Sequence, residues 1–292
     1  MTASTSGPAP GTRLVVTSDD FGLSVEVNEA VEAAHREGIL TAASLMVSAP
    51  AAADAVARAR RLPTLRVGLH LVMVEAWPTL PPARLPHLVR EGGFIRDDMG
   101  RLGLDLALSG AARRELAAEI TAQFEAYRAT GLPLDHVNAH KHFHVHPIMA
   151  GLVLGEGRRR GMRAIRVPRE PRAVLARAEP GADLKPALDT APWAALLGWR
   201  ARRAGLLVPD AVLGLAWSGA MTTPRVAGLV ANLPPGLVEL YAHPATAGRF
   251  PGEAPGNADA AELAALVAPE TREALDASGA RTGGYADFAA TF

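Results

Sequence analysis

The chain has 292 residues, 49% hydrophobic and 21% charged, so it can bury a packed core, and wholesale disorder is excluded. Thirty basic residues balance thirty acidic ones, which argues against nucleic-acid binding through a global basic field, although a local basic patch would escape that count. Cysteine is absent, which excludes disulfides, thiolate nucleophiles and cysteine-ligated metal sites.

Met1 to Pro10 hold no lysine, no arginine and no apolar run, and no later stretch of 18 or more apolar residues occurs. A flexible tail over residues 1–11, one domain over residues 12–292 and a cytoplasmic location are expected. The first structural unit follows at once. Leu14 to Thr17 read as a buried strand, Ser24 as a helix N-cap, Glu26 and Glu29 as early-turn acids, and Gly38 as the helix end. Further strands are predicted at Ala43 to Val47, Val67 to Val72, His136 to His144, Ala164 to Val167, Ala211 to Trp217 and Leu237 to Ala242. Leu116, Ile120, Phe124 and Tyr127 step by four, four and three, the spacing of one helix face. Strands alternating with helical patterns imply a parallel sheet with crossover helices. The length suits a single α/β barrel. A Pro-rich segment from Trp77 to Pro86 and a Gly/Pro segment from Gly248 to Gly256 interrupt the rhythm as candidate lids or plain loops.

Chemistry-bearing residues cluster at the predicted strand ends. Asp19 and Asp20 close the first strand, and adjacent carboxylates leaving a strand point to different sides, so one can bind a cation while the other moves a proton. His70 ends the third strand within an apolar run. The fourth carries His140, His142, His144 and His146 at spacing two. At roughly 3.3 Å per residue the outer pair of such a strand would lie about 20 Å apart, so they cannot all serve one metal. One or two of them, with His140 and His142 leading, can share a centre with Asp20 and His70. His243 ends the last strand. Strand C-terminal ends are where barrel and open-sheet enzymes gather their sites. Motifs for dinucleotides, phosphate loops and serine hydrolases are absent.

This pattern resembles the YdjC-like carbohydrate deacetylases, grouped with the chitooligosaccharide deacetylases. The matching residues are Ser18-Asp19-Asp20-Phe21-Gly22-Leu23-Ser24, Gly68-Leu69-His70-Leu71, His140-Lys141-His142-Phe143-His144 with Pro147, and Glu239-Leu240-Tyr241-Ala242-His243-Pro244. Ser24 to Val31, Asp135 to His144, Arg166-Val167-Pro168 and Gly214 to Met221 look most like the hopanoid-biosynthesis-associated branch. The resemblance implies a single distorted, TIM-like (β/α) barrel of about seven strands. It also implies a divalent metal on Asp20, His70 and His140, Asp19 as base and His243 as acid. His142, His144, Arg166 and Trp217 are expected substrate contacts. The metal would be Zn, Ni, Co, Fe or Mg.

The implied reaction removes the acetyl group from an N-acetylglucosaminyl unit, on a hopanoid lipid in the branch reading or on soluble chitooligosaccharides otherwise. The lipid reading adds transient membrane-surface contact at the periphery of the inner membrane, with Trp77, Leu80 and Leu85 as an apolar wall. Where the general family has Asp-Ser-His-His-His, this chain has Asn138-Ala139-His140-Lys141-His142, so roles tied to the lost carboxylate and middle histidine do not carry over. Two His and one carboxylate also form the facial triad of non-haem iron oxygenases, and a barrel that only binds sugar or metal is the reading from outside catalysis.

Overall fold

The computed structural model describes residues 11–182 and 190–289. Apart from Gly11, the expected tail lies outside the described residues. In chain order the elements are β1 (Arg13–Phe21), α1 (Val25–Glu37), β2 (Ala42–Leu45), α2 (Ala52–Arg61), β3 (Arg66–Leu71), α3 (Met99–Leu108), α4 (Gly110–Ala129), β4 (Val137–Ala139) and α5 (Pro147–Arg159). There follow α6 (Arg172–Ala178), α7 (Ala191–Arg203), β5 (Ala211–Leu213), α8 (Thr223–Ala231), β6 (Leu237–Ala242), α9 (Asp259–Val267), α10 (Pro269–Ser278), β7 (Arg281–Thr282) and α11 (Tyr285–Ala289).

Leu14, Val15 and Val16 are fully buried, as suits a strand covered on both faces by helices. The sheet runs β4-β3-β2-β1-β6-β5, with β7 beside the start of β1, and its strand pairs are parallel. It curls into a half-barrel. Between β4 and β5 the path is carried by isolated parallel bridges from Val137 to Ile165 and from Ala164 to Leu207, and by the Val212 N–H donating to the Arg169 carbonyl. This half-barrel is consistent with a distorted barrel and shows no regular TIM-type closure among the described residues. Among the described residues strands thus number seven, but Ala164 to Val167 forms bridges rather than a strand, and the two-residue β7 takes the seventh place.

Two predicted strands are shorter than expected. The fourth ends at Ala139, because Lys141 (φ 53°) and His142 (φ 54°) turn left-handed and fold residues 140–145 into a tight helical turn. The histidines therefore do not share a strand face at period two. The other stops at Leu213, where Gly214 takes φ 110°.

Local signals hold elsewhere. The Ser24 hydroxyl accepts from the Val27 N–H at the start of α1. Gly38 ends that helix for a reason of space rather than φ: a Cβ there would stand 2.4 Å from the Leu266 carbonyl oxygen. Leu116, Ile120, Phe124 and Tyr127 form the buried face of α4. From the same helix, Glu119 accepts the N–H groups of Thr79 and Leu80 at 2.7 and 2.9 Å, and Trp77 rests on Phe94 at 5.1 Å. With Leu85 wholly buried, the Trp77 to Pro86 segment is pinned onto the body of the protein.

Candidate active site

The site begins as an irregularity in β1. Ser18 pairs with Ala43 and Phe21 with Leu45, so three steps on β1 oppose two on β2, and Asp20 takes φ 60° in the bulge between them. The bulge sends the two carboxylates apart. Asp20 Oδ1 lies 3.1 Å from His140 Nδ1 and 3.2 Å from His70 Nε2. Asp19 turns inward, where it accepts from Arg166 Nη1 at 2.5 Å, Arg166 Nη2 at 3.0 Å and Asn138 Nδ2 at 3.0 Å.

Both carboxylates are buried, and burial alone would favour their neutral forms. For Asp19 the facing Arg166 outweighs that and holds the carboxyl well below the ordinary range. For Asp20 the two imidazoles do the same. Arg166 itself is wholly buried between two acids, donating also to Glu239 Oε2 from Nε at 2.9 Å and to Oε1 from Nη2 at 2.8 Å. Glu239 in turn accepts from Thr17 Oγ1 and Tyr285 Oη at 2.7 and 2.5 Å.

A second chain of contacts reaches His70 from below. Asp135 Oδ2 lies 2.8 Å from His136 Nδ1, His136 Nε2 lies 2.9 Å from Ser44 Oγ, Asn138 Nδ2 donates to Ser44 Oγ at 2.8 Å, and Asn138 Oδ1 lies 2.7 Å from His70 Nδ1. Asp135 also accepts the backbone N–H groups of Tyr285 and Ala286. The two chains therefore join into a closed polar ring that runs through β1, β2, β4, β6 and α11. Gly68 belongs to this arrangement, since a Cβ there would stand 2.5 Å from the His136 ring.

Asp20, His70 and His140 each offer one ligand atom, and these atoms lie within 4.8 Å of one another. His70 Nε2 is buried without a hydrogen-bond partner. Two imidazole nitrogens and a carboxylate suit a divalent transition metal, and an unpartnered buried nitrogen is the feature that a cation would satisfy. The donor set therefore fits a metal ion.

Above these residues opens a pocket of about 380 Å³ lined by Asp19, Asp20, His140, His243 and Asp259 on its polar side and by Leu23, Val27, Phe250 and Pro255 on its apolar side. Of the described residues other than glycine, those at positive φ are Asp20, Glu75, Lys141 and His142, all in or beside this pocket. Backbone strain of this kind collects at functional sites. Lys141 and Glu75 form an ion pair at the wall, tying two strained turns together. Burial raises Asp259 to about 6.

Asp19, Asp20, His70, His140 and His243 are thus brought together. His142 and His144 lie behind the pocket wall: His142 Nε2 is 3.2 Å from Tyr241 Oη, His144 Nε2 is 2.8 Å from the Arg166 carbonyl, and burial holds both rings neutral. Arg166 meets the site only through Asp19. Trp217 is buried beneath the Arg225 guanidinium at 4.9 Å. None of these four lines the pocket. Sequence reasoning missed Ser44, His136, Glu239, Tyr285 and Asp259. A charged residue inside an apolar strand, as in Ala-Ile-Arg-Val and Leu-Val-Glu-Leu, was the available signal for Arg166 and Glu239.

The family profile described as YdjC-like protein matches residues 13–277. The chain is 40% identical over 143 residues to a carbohydrate deacetylase of Brevibacillus brevis, covering 49% of this chain and 54% of that protein. A chitooligosaccharide deacetylase of an Enterobacter species is 33% identical over 166 residues, covering 55% and 61%. The chain thus spans little more than half the length of these curated relatives. Among solved structures, an Enterococcus faecalis V583 protein provisionally named for cellobiose-phosphate cleavage superposes with a TM-score of 0.74 at 21% identity, covering 95% of this chain and 99% of that one.

Proposed function

The chain belongs to the YdjC-like protein family, and from that premise we propose that it is a metal-dependent carbohydrate N-deacetylase acting on an N-acetylglucosaminyl unit. The observation that carries this reading is the convergence of the Asp20, His70 and His140 ligand atoms within 4.8 Å beside a separately held carboxylate, Asp19. A divalent ion there would lower the pKa of a water molecule and polarise the acetyl carbonyl.

The remaining steps fall to the chain's own groups. Asp19 stays ionised and oriented by Arg166 and Asn138, so it is ready to accept a proton from a water in the pocket. A carboxylate so stabilised is a weak base, and its use lies in being charged and fixed in place. His243, whose backbone N–H is held by Glu262 and whose Nδ1 is buried without a partner, is proposed to protonate the departing nitrogen. The amide C–N bond then breaks to give acetate and the free amine.

For the substrate, the branch resemblance favours a sugar on a hopanoid-type lipid, and the apolar wall of Leu23, Val27, Phe250 and Pro255 supports a hydrophobic aglycone beside the polar centre. Contact with a membrane surface belongs to the same reading, as does a single domain over residues 12–292. No helix among the described residues is long and apolar enough to cross a membrane. Soluble chitooligosaccharides are the second reading, favoured by the name of the Enterobacter relative.

The test is acetate release from an N-acetylglucosaminyl hopanoid glycoside and from N-acetyl-chitooligosaccharides, with protein loaded in turn with Zn, Ni, Co, Fe and Mg and with chelated protein. Hydrolysis that needs metal but neither oxygen nor an oxoacid is expected. No acetate from either substrate with any metal would overturn the deacetylase reading, and an oxygen requirement would point to the oxygenase class instead.

A further inference from the structure

A local concentration of charge and apolar surface stands away from the catalytic pocket. Helix α7 carries Arg200, Arg202 and Arg203 and no acidic residue. Trp199 is 58% exposed, and Arg202 and Arg203 follow it at i+3 and i+4, on the same side of the helix, with the Arg202 guanidinium beside Gly198. Arg203 stacks on the Trp199 ring at 5.4 Å. Beside them a surface pocket of about 520 Å³ is lined by Arg169, Trp199, Arg202 and Arg203, with no carboxylate among the described residues of its wall.

The patch extends toward α3. Trp193, 42% exposed at the start of α7, meets the His146 ring edge-on at 5.4 Å, and a Cβ on Gly103 of α3 would stand 3.2 Å from that same ring. Helix α3 then presents Leu104 at 54% and Leu108 at 77% exposure, one turn apart. Of the five large apolar side chains that the described residues expose, four lie on these two helices. A chain of zero net charge has therefore gathered arginines and exposed apolar side chains on two helices that meet at the His146 ring.

We propose that this face docks the protein onto an anionic lipid bilayer, with Trp193, Trp199, Leu104 and Leu108 entering the headgroup boundary and Arg169, Arg202 and Arg203 meeting lipid phosphates. Interfacial helices combine these features: tryptophan favours the interface, arginine extends its charge to the headgroups, and aliphatic side chains reach the acyl region. A second copy of the chain fits less well, because a two-fold contact through this face would set arginine cluster against arginine cluster. Single-stranded nucleic acid would use the indole and the charges but has no use for Leu104 and Leu108. The placement also abuts the turn that bears His140, since His146 ends it.

The proposal does not rest on the deacetylase reading, and its test needs neither substrate nor metal. The full chain is sedimented with vesicles of phosphatidylcholine alone and of phosphatidylcholine mixed with phosphatidylglycerol. Binding to the mixed vesicles that weakens with salt is expected, with a blue shift of tryptophan emission that Trp199→Ala reduces. The double variant Arg202→Ala/Arg203→Ala should lose about 25-fold in partitioning, near five-fold for each charge. These positions are exposed, so circular dichroism should be unchanged and the variants remain interpretable. Absence of binding, equal binding to neutral vesicles, or variants that bind like the parent would overturn the proposal. So would displacement of the vesicles by an oligonucleotide, or a Trp199-dependent dimer in their absence.

Discussion

His70 and Asn138 face each other across 2.7 Å, Nδ1 to Oδ1, and this contact fixes which nitrogen of the histidine is left for a metal. The amide cannot be turned the other way, because its nitrogen donates to Asp19 Oδ1, a carboxylate oxygen that only accepts. Asn138 Oδ1 therefore accepts from His70 Nδ1, which leaves Nε2, directed toward Asp20, as the nitrogen placed to ligate. Asn138→Ala should weaken metal binding by about 10- to 100-fold, the usual effect of removing such an orienting partner. Equilibrium titration of the apoprotein with Co or Zn measures it, and unchanged affinity would show that Asn138 does not set the ligand.

Metal retention should separate the two carboxylates. Asp20→Ala, His70→Ala and His140→Ala are each expected to lose the ion, since two remaining donors hold it poorly. Asp19→Asn should keep it while the rate falls by about 10² to 10⁴. Metal analysis alongside single-turnover kinetics reads both, and loss of metal from Asp19→Asn would mean that the assignments must be exchanged.

Asp259 introduces a pH dependence on the wall of the pocket. Burial raises its folded value to about 6 from an ordinary 3.8. Between those values the folded chain holds a proton that the unfolded chain has released, so this group's contribution to stability declines as pH rises through that window. In catalysis the carboxylate ionises over the same range, and its negative charge then faces His243, the proposed proton donor. A rising limb of kcat/KM with a midpoint near pH 6 is expected, and Asp259→Asn should remove it. An identical limb in parent and variant would assign that titration elsewhere.

Tyr285 tests the buried ring. Its hydroxyl donates to Glu239 Oε2 at 2.5 Å, and Glu239 and Arg166 stand between it and Asp19 in the chain of contacts. Tyr285→Phe leaves an ionised acceptor short of a donor and should cost about 1.5–3 kcal/mol of stability. Urea denaturation gives the value, while metal affinity should stay near the parent's. A parent-like midpoint would mean that water replaces the hydroxyl without loss.

The first strand and helix and the face of α4 could be read from sequence, because each rests on local pattern; strand-end placement gathered Asp20 and His70 but left His140 and His142 both open, and the choice of His140 came from the family resemblance. The turn after β4 could not. Alternating histidines imitate strand periodicity, and although histidine enters the left-handed region more readily than most residues, lysine does not, so two such residues in succession carry no sequence signal. The partners of Asp19 were hidden for another reason. Arg166 and Glu239 announce themselves as charges within apolar runs, but only the fold shows that residues 73 positions apart neutralise each other. Gly68 is similar: its role is room for a histidine ring supplied 68 residues later.

The closed ring also bears on the order in which the protein can be assembled. A nascent chain that has emerged through His140 already holds all three proposed ligands, yet Asp19 then lacks Arg166, Arg166 will need Glu239, and Asp135 waits 150 residues for the Tyr285 N–H. Each such closure costs loop entropy before any contact rewards it, so a chain this rich in distant pairings should fold slowly. Until residue 286 has been made, Glu239 lacks the Tyr285 hydroxyl and Asp135 lacks the N–H groups of Tyr285 and Ala286. The ligands are encoded early, but the electrostatic setting in which they work is completed only when the last helix docks.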